Sequence, residues 1–400
     1  MDIKYIKLLL RKCLNFDKSK ILFISYDKVN KDFVEKVIKE AKNLGVEEIY
    51  LDESDIVTYK NKLESMSIEE LKKDPYFDKS IWNTYATKYA SFLILDTEFP
   101  GYLEGLDEKI GVVSSITRNS RKVFRSMESK NEIPWVIAAL PNEIWADALY
   151  GDNGYKKLED AIYKMCMIDT PDPIKSWDNY LKELKDKTNY LNSLGIQKLH
   201  YTNSLGTDLY LTLPKNNKWI SIADDLKYNM LVNMPSYEVF TSPDYRYTEG
   251  IVYSSKPLMY GGAIIEDFYL EFKNGKVINY NAKKGKDVLK SIIESDSNSC
   301  YLGECALVDY DSPISNTGMV FKTTLIDENA SCHLALGDGF SDTILDGINM
   351  DDKELLANGI NSSLTHVDFM IGTSDLLIEG ITNNSTIKIF ENGNFIKNHQ

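Results

Sequence analysis

At 400 residues the chain is longer than one hydrophobic core usually holds, so two domains are expected. Hydrophobic residues at 43% and charged residues at 26% give the balance of a soluble globular protein, and no apolar stretch approaches the ~18 residues of a membrane helix. A net charge of −14 argues against nucleic-acid partners, because neutralising phosphates takes clustered Lys and Arg.

Residues 20–51 read strand, helix, strand. KILFISY is a buried apolar run, FVEKVIKEAKNLG has helical periodicity ending at Gly45, and VEEIYLD is a second strand. Helices are expected near Ser67–Lys73 and Ile81–Ala90, followed by the strand SFLILD. A basic helix near Ile116–Met127 and the buried strand PWVIAALP come next. Strands alternating with helices imply a largely parallel sheet in an α/β domain. No G-x-G-x-x-G and no P-loop follows any of these strands, so a scaffold role is read here and no nucleotide. Lys156–Asp169 and Ile174–Leu191 read as helices separated by Thr170-Pro171-Asp172-Pro173. The boundary is set at their end: residues 1–185 as the α/β scaffold, residues 186–400 as the second domain.

From Ile196 the texture changes. IQKLHYT, TDLYLTLP and DFYLEF are short strands rich in Tyr, Leu and Thr. Asn274-Gly275 and Asn392-Gly393 are hairpin turns that tolerate positive φ, and Asn383-Asn384 is read as a third. One helix falls near Asp287–Ser295. This half reads as an α+β domain of curved, mostly antiparallel strands around a buried helix. That helix is DENASCHLALG, residues 327–337, with Asp327 as N-cap and Gly337 as its left-handed end.

The same segment holds His333, one of only four histidines. An isolated buried imidazole is more often a hydrogen-bonded core residue than a ligand. This one has company. His366 and Asp368, in THVDFMIG, share one face of an extended backbone. Glu304 in YLGECALVDYDSPI and Glu238 in NMPSYEVFTSP are carboxylates in apolar, strand-like runs. Buried carboxylates are rare unless paired or bound to metal. Two imidazoles and three carboxylates supply the donors that two zinc, cobalt or manganese ions would take. His200 reads as structural, and His399 stands next to the C-terminus. Cys305 and Cys332 flank proposed ligands but read as core filler, with Cys305 on the opposite strand face. Glu249 is a candidate for orienting a ligand from behind. The five scattered cysteines make no C-x-x-C pair, which argues against disulfides and thiolate zinc sites. The opening MDIKYIKLLLRKC lacks a clean signal-peptide run, so a reducing cytoplasm is expected.

NMPSYEVFTSP, GECALVDYDSPI, DENASCHLALG and HVDFMIG, with GTDLYLTLP before them, resemble in order and spacing the thermophilic metallo-aminopeptidase family typified by aminopeptidases T and S. The likeness is densest from Gly206 to Gly372, about half the chain. It implies a peptide substrate, a homodimer, and metal ligation by Glu238, Glu304, His333, His366 and Asp368. It also implies a catalytic acid or base role for Glu304. Five ligands on two ions require at least one shared carboxylate. An ion could hold the substrate's free α-amine and so select N-termini. One departure stands out. Relatives carry a catalytic tyrosine seven residues past the histidine of DENASCHLALG, where this chain has Phe340. A phenyl ring cannot donate to an oxyanion. The leading expectation is an aminopeptidase. The alternatives are a catalytically impaired member that binds peptides or serves structurally as a homodimer, and a two-metal phosphoesterase, against which the acidic charge weighs.

Overall fold

The structure is a computed structural model describing residues 1–16, 21–222, 224, 228–260 and 263–396. The chain folds as two compact units, Met1–Tyr180 with Asp225–Pro235, and Leu181–Asp224 with Ser236–Gln400. The first unit is built on five parallel strands: β1 (Ile21–Asp27), β2 (Glu48–Ser54), β3 (Ser91–Asp96), β4 (Trp135–Ala139) and β8 (Asn233–Met234), in the order β2-β1-β3-β4-β8. The parallel α/β expectation holds here. Phe23 of β1 packs on Phe92 of β3 with ring centroids 4.8 Å apart, and Trp82, Phe124 and Ile133 belong to the same cluster. Each fully buried side chain of this size stabilises by about 1.5–3 kcal/mol. In helix Lys31–Asn43 the buried residues Phe33, Val34, Val37 and Ala41 recur at helical spacing.

Two local readings change. The basic segment forms two helices, Asp107–Ser120 and Lys122–Ser129, with Arg121 between them. The Arg121 guanidinium lies over the Trp82 ring at 4.6 Å. Helix Ile56–Ser65 was not foreseen because it buries only Ile56 and Leu63, too few for a visible period. Its start is fixed by Asp55, whose carboxylate accepts from the Val57 N–H.

The second unit holds two antiparallel sheets. Their strands are β5 (Lys198–Thr202), β6 (Asp208–Thr212), β7 (Ile220–Ser221), β9 (Val239–Thr241), β10 (Glu249–Tyr253), β11 (Leu258–Tyr260), β12 (Ala263–Lys273), β13 (Lys276–Lys284), β14 (Leu302–Leu307), β15 (His333–Gly337), β16 (His366–Met370), β17 (Leu377–Ile381), β18 (Thr386–Glu391) and β19 (Asn394–Phe395). The larger sheet runs β11-β12-β10-β6-β5-β17-β18-β19, with β13 on β12, and the smaller runs β16-β15-β14-β9-β7. Asn274 and Gly275 (φ 51° and 79°) turn β12 into β13, and Asn392 and Gly393 (φ 53° and 72°) turn β18 into β19. Asn383-Asn384 also marks a turn, closed by the Thr382 N–H donating to Ser385 O at 2.9 Å.

The helix expected over residues 327–337 is corrected. The segment divides into a helical turn at Thr324–Asp327, a 3₁₀ turn at Glu328–Ala330, and the strand β15 from His333 to Gly337. All five residues of β15 are buried, with β14 and β16 paired on its two edges. A short apolar run buried on both faces has no period that separates strand from helix. Asp327 caps no helix here. Its carboxylate accepts from the N–H groups of Phe321 (2.7 Å) and Thr323 (3.2 Å).

Candidate metal centre

The smaller sheet gathers the five polar residues by register. Ala335 of β15 pairs with Glu304 on one side and with Asp368 on the other. Residues opposite one another share a face, so both carboxylates project over the small Ala335 methyl. His333 is two residues before Ala335, and His366 is two before Asp368, so period two brings them to the same face. Ala306 pairs with both His333 and Phe240, and Glu238 lies two residues before Phe240. Gly303 makes this row possible. The β14–β15 register shifts between Leu302 and Glu304, and a Cβ at Gly303 would lie 2.0 Å from Asp338 O. Only glycine fits that irregularity, which sets the aim of Glu304.

All five side chains converge. His333 Nε2 lies 3.3 Å from Glu238 Oε2. His366 Nε2 lies 3.1 Å from Glu304 Oε2 and 3.2 Å from Asp368 Oδ1. The donors form two groups, Glu238–Glu304–His333 and Glu304–His366–Asp368, each with its donor atoms within 4.8 Å of one another. Glu304 belongs to both. The far ring nitrogens face backbone carbonyls: His366 Nδ1 meets Asp338 O at 2.8 Å and His333 Nδ1 meets Ser331 O at 3.3 Å. Such contacts place the proton on Nδ1 and leave Nε2 to bind a cation. Ser236 Oγ donates to Glu238 Oε1 at 3.5 Å.

The electrostatics describe a site short of positive charge. Glu238, Glu304 and His333 are only 7%, 4% and 1% exposed, so their charges are poorly solvated. Burial lifts the Glu304 carboxyl to about 7 despite its bond to His366. Burial alone would lower His333, yet the carboxylate of Glu238, with those of Glu304 and Asp368, raises it to about 10. His366 is raised well above its ordinary value by Asp368 and Glu304, again against burial. Asp368 moves the other way: burial opposes ionisation, and His366 outweighs it. In the protein alone, then, the imidazoles serve as the missing cations. Asp368 Oδ1 is buried, with His366 Nε2 3.2 Å away as its ion-pair partner. Buried carboxylates converging with imidazole nitrogens form a donor set that fits a divalent ion of the zinc, cobalt or manganese type.

Other residues sort by distance from this centre. The Phe340 ring lies 4.9 Å from the His366 ring, and its N–H donates to Ser242 Oγ at 2.9 Å. Cys305 is buried beside Tyr201, and Cys332 Sγ faces Val308 O at 3.4 Å, so both fill core. Glu249 does not orient a ligand. It sits in the larger sheet, where its carboxylate accepts from the Asn274 N–H at 2.7 Å. His200 is held between Asp208 at 2.8 Å and Glu379 at 3.6 Å. His399 lies outside the described residues. Sequence reasoning overlooked Glu328. Its carboxyl is raised well above the ordinary range by burial and by the charges of Asp368 and Glu238. It stands five residues before His333 in the same DENASCH block, but its polar neighbours hide it.

Residues 3–395 match the model of the thermophilic metalloprotease (M29) family. Aminopeptidase AmpS of Bacillus subtilis (strain 168) is 34% identical over 399 residues, covering 98% of this chain and 97% of its own. Aminopeptidase PepS of Streptococcus thermophilus is 33% identical over 402 residues, with the same coverage of 98% and 97%. The solved structure of wild-type AmpT from Thermus thermophilus superposes with a TM-score of 0.91 at 28% identity, covering 99% of each chain.

Proposed function

Since this chain belongs to the thermophilic metalloprotease (M29) family, we propose that it is an aminopeptidase that releases N-terminal amino acids from peptides at a centre of two divalent ions. The observation that carries the reading is Glu304, a carboxylate common to two donor groups. In it, Glu238 and His333 would hold one ion, His366 and Asp368 would hold the other, and Glu304 would be available to both. Two such ions, when bound, make a water acidic near neutrality and polarise the scissile carbonyl. The chain's own residues do the rest. Ser331 O and Asp338 O keep the imidazoles aimed at the centre. Glu304 can hold a proton at its carboxylate and return it to the leaving amine. Phe340 packs its ring against that of His366 at 4.9 Å.

Relatives of nearly the same length are named aminopeptidases, so the inactive, peptide-binding alternative is not adopted. A cytoplasmic homodimer belongs to the same proposal: five buried, unpaired cysteines support the compartment, and the family resemblance supports the dimer. Among the described residues no helix is long and apolar enough to cross a membrane. The test is release of leucine from a leucyl reporter by chelator-treated protein, with and without added zinc, cobalt or manganese. Metal-restored release is expected. No release with any of the three, at two ions per chain, would overturn the reading.

A further inference from the structure

Of the five donor residues, Glu238 is the one that no strand carries. Residues 236–238 are irregular, and β9 begins only at Val239. Glu304, His333, His366 and Asp368 all lie within strands whose ladders fix their backbones. At Glu238 a side chain takes the place of a ladder. The Tyr237 N–H donates to Asn329 Oδ1 at 2.6 Å, a buried bond between residues 92 apart. Asn329 is fully buried, and its Nδ2 donates to Leu325 O at 3.2 Å and to Glu328 Oε1 at 3.4 Å.

These partners fix the amide. Exchanging its oxygen and nitrogen would set donor against donor at Tyr237 and acceptor against acceptor at Leu325. A carboxylate would satisfy Tyr237 but oppose the Leu325 carbonyl, and an apolar side chain would leave both groups unpaired and dry. Asn329 lies in the 3₁₀ turn Glu328–Ala330, and Leu325 in the helical turn before it, shortly ahead of His333 at the start of β15. One carboxamide thus joins the chain beside Glu238 to the turn that leads into His333, and those two residues with Glu304 make up one donor group. We propose that Asn329 is a positioning residue that keeps Glu238 in reach of His333 and Glu304, and so sets the affinity of that group for its ion. His366 and Asp368 are held separately, by β16 and by Asp338 O behind the His366 ring. The inference rests on the two-ion reading.

Calorimetric titration of cobalt into chelator-treated protein tests this in two backgrounds. Asp368→Ala leaves the group Glu238–Glu304–His333, and His333→Ala leaves the group Glu304–His366–Asp368. Asn329→Leu should weaken cobalt about tenfold or more in the first background, the range for losing a partner that orients a ligand, and leave the second unchanged. Asn329→Ser, too short to reach Tyr237, should give the same pattern if the leucine variant does not fold. Ile389→Ala removes a buried side chain of β18 in the larger sheet, and should lower Tm without weakening cobalt in either background. Equal weakening in both backgrounds, the same weakening from Ile389→Ala, or unaltered affinity would overturn the role of Asn329. Fewer than two cobalt ions on the unsubstituted protein, or none on Asp368→Ala, would overturn the two-ion reading instead.

Discussion

Glu304 is where the two donor groups meet, and its replacement is the sharpest single-residue probe. Glu304→Gln keeps the size and removes the charge. Peptidase turnover at saturating metal should fall by ~10²-fold or more, as for a lost acid–base group, and bound metal should fall with it. Near-normal turnover would remove Glu304 from the mechanism. Phe340 is the second probe. Its ring is 4.9 Å from that of His366, so a hydroxyl added by Phe340→Tyr would stand at the edge of the centre. A well-placed donor to an oxyanion gives about 10²-fold in rate. We expect a smaller gain in kcat for a dipeptide at equal metal occupancy, because nothing nearby is built to orient the new hydroxyl. An unchanged or lower kcat would mean that the donor already comes from elsewhere. At this scale the sequence was readable where a lone polar residue stood in an apolar run, as Glu238, Glu304, His333 and His366 do. Glu328 follows Asp327 in a polar run, and only the fold distinguishes the carboxylate on which the charges of Asp368 and Glu238 act from the one that binds the backbone of Phe321 and Thr323.

Strand β15 organises the centre, and it was the element misread. Its neighbours decide its conformation: β14 and β16 satisfy its backbone on both edges, a fact of tertiary pairing absent from local sequence. The hairpins at Asn274-Gly275 and Asn392-Gly393 were legible because left-handed turns are encoded locally. Gly337 makes the strand testable. It pairs with His366, has φ 106°, and a Cβ there would lie 2.0 Å from Thr365 O. Gly337→Ala should destabilise the protein by at least about 1–3 kcal/mol and shift His366, lowering the urea midpoint and metal affinity together. An unaltered midpoint would show that the strand tolerates a side chain there. Gly303 gives the register of Glu304 the same kind of support, through contact with the backbone of Asp338.

For the whole molecule, the metal centre links stability to pH. His333 is raised from 6.5 to about 10, so the stability it contributes without metal is complete below 6.5 and is lost as pH rises through about 10. Glu304 is raised from 4.5 to about 7, so its contribution as a neutral acid is likewise lost as pH rises through about 7. The metal-free protein should therefore lose stability toward alkaline pH, while bound ions replace those protons. The gain in stability on adding metal, followed by Tm, should be larger at about pH 8.5 than at about pH 6, and near 2.7 kcal/mol when free metal is about a hundredfold above its Kd. A gain that shrinks with pH would contradict the proton-for-metal exchange. The alternation of strands and helices was legible over the first unit, but the later return of Asn233–Met234 to its sheet edge was not, since two residues leave no period to read. The most direct test of the centre is anomalous diffraction at the metal edge from crystals grown with the activating ion. We expect two peaks about 3.5–4 Å apart, with Glu304 between them, Glu238 and His333 on one, and His366 and Asp368 on the other. A single peak, or ions held by other residues, would contradict the two-ion centre.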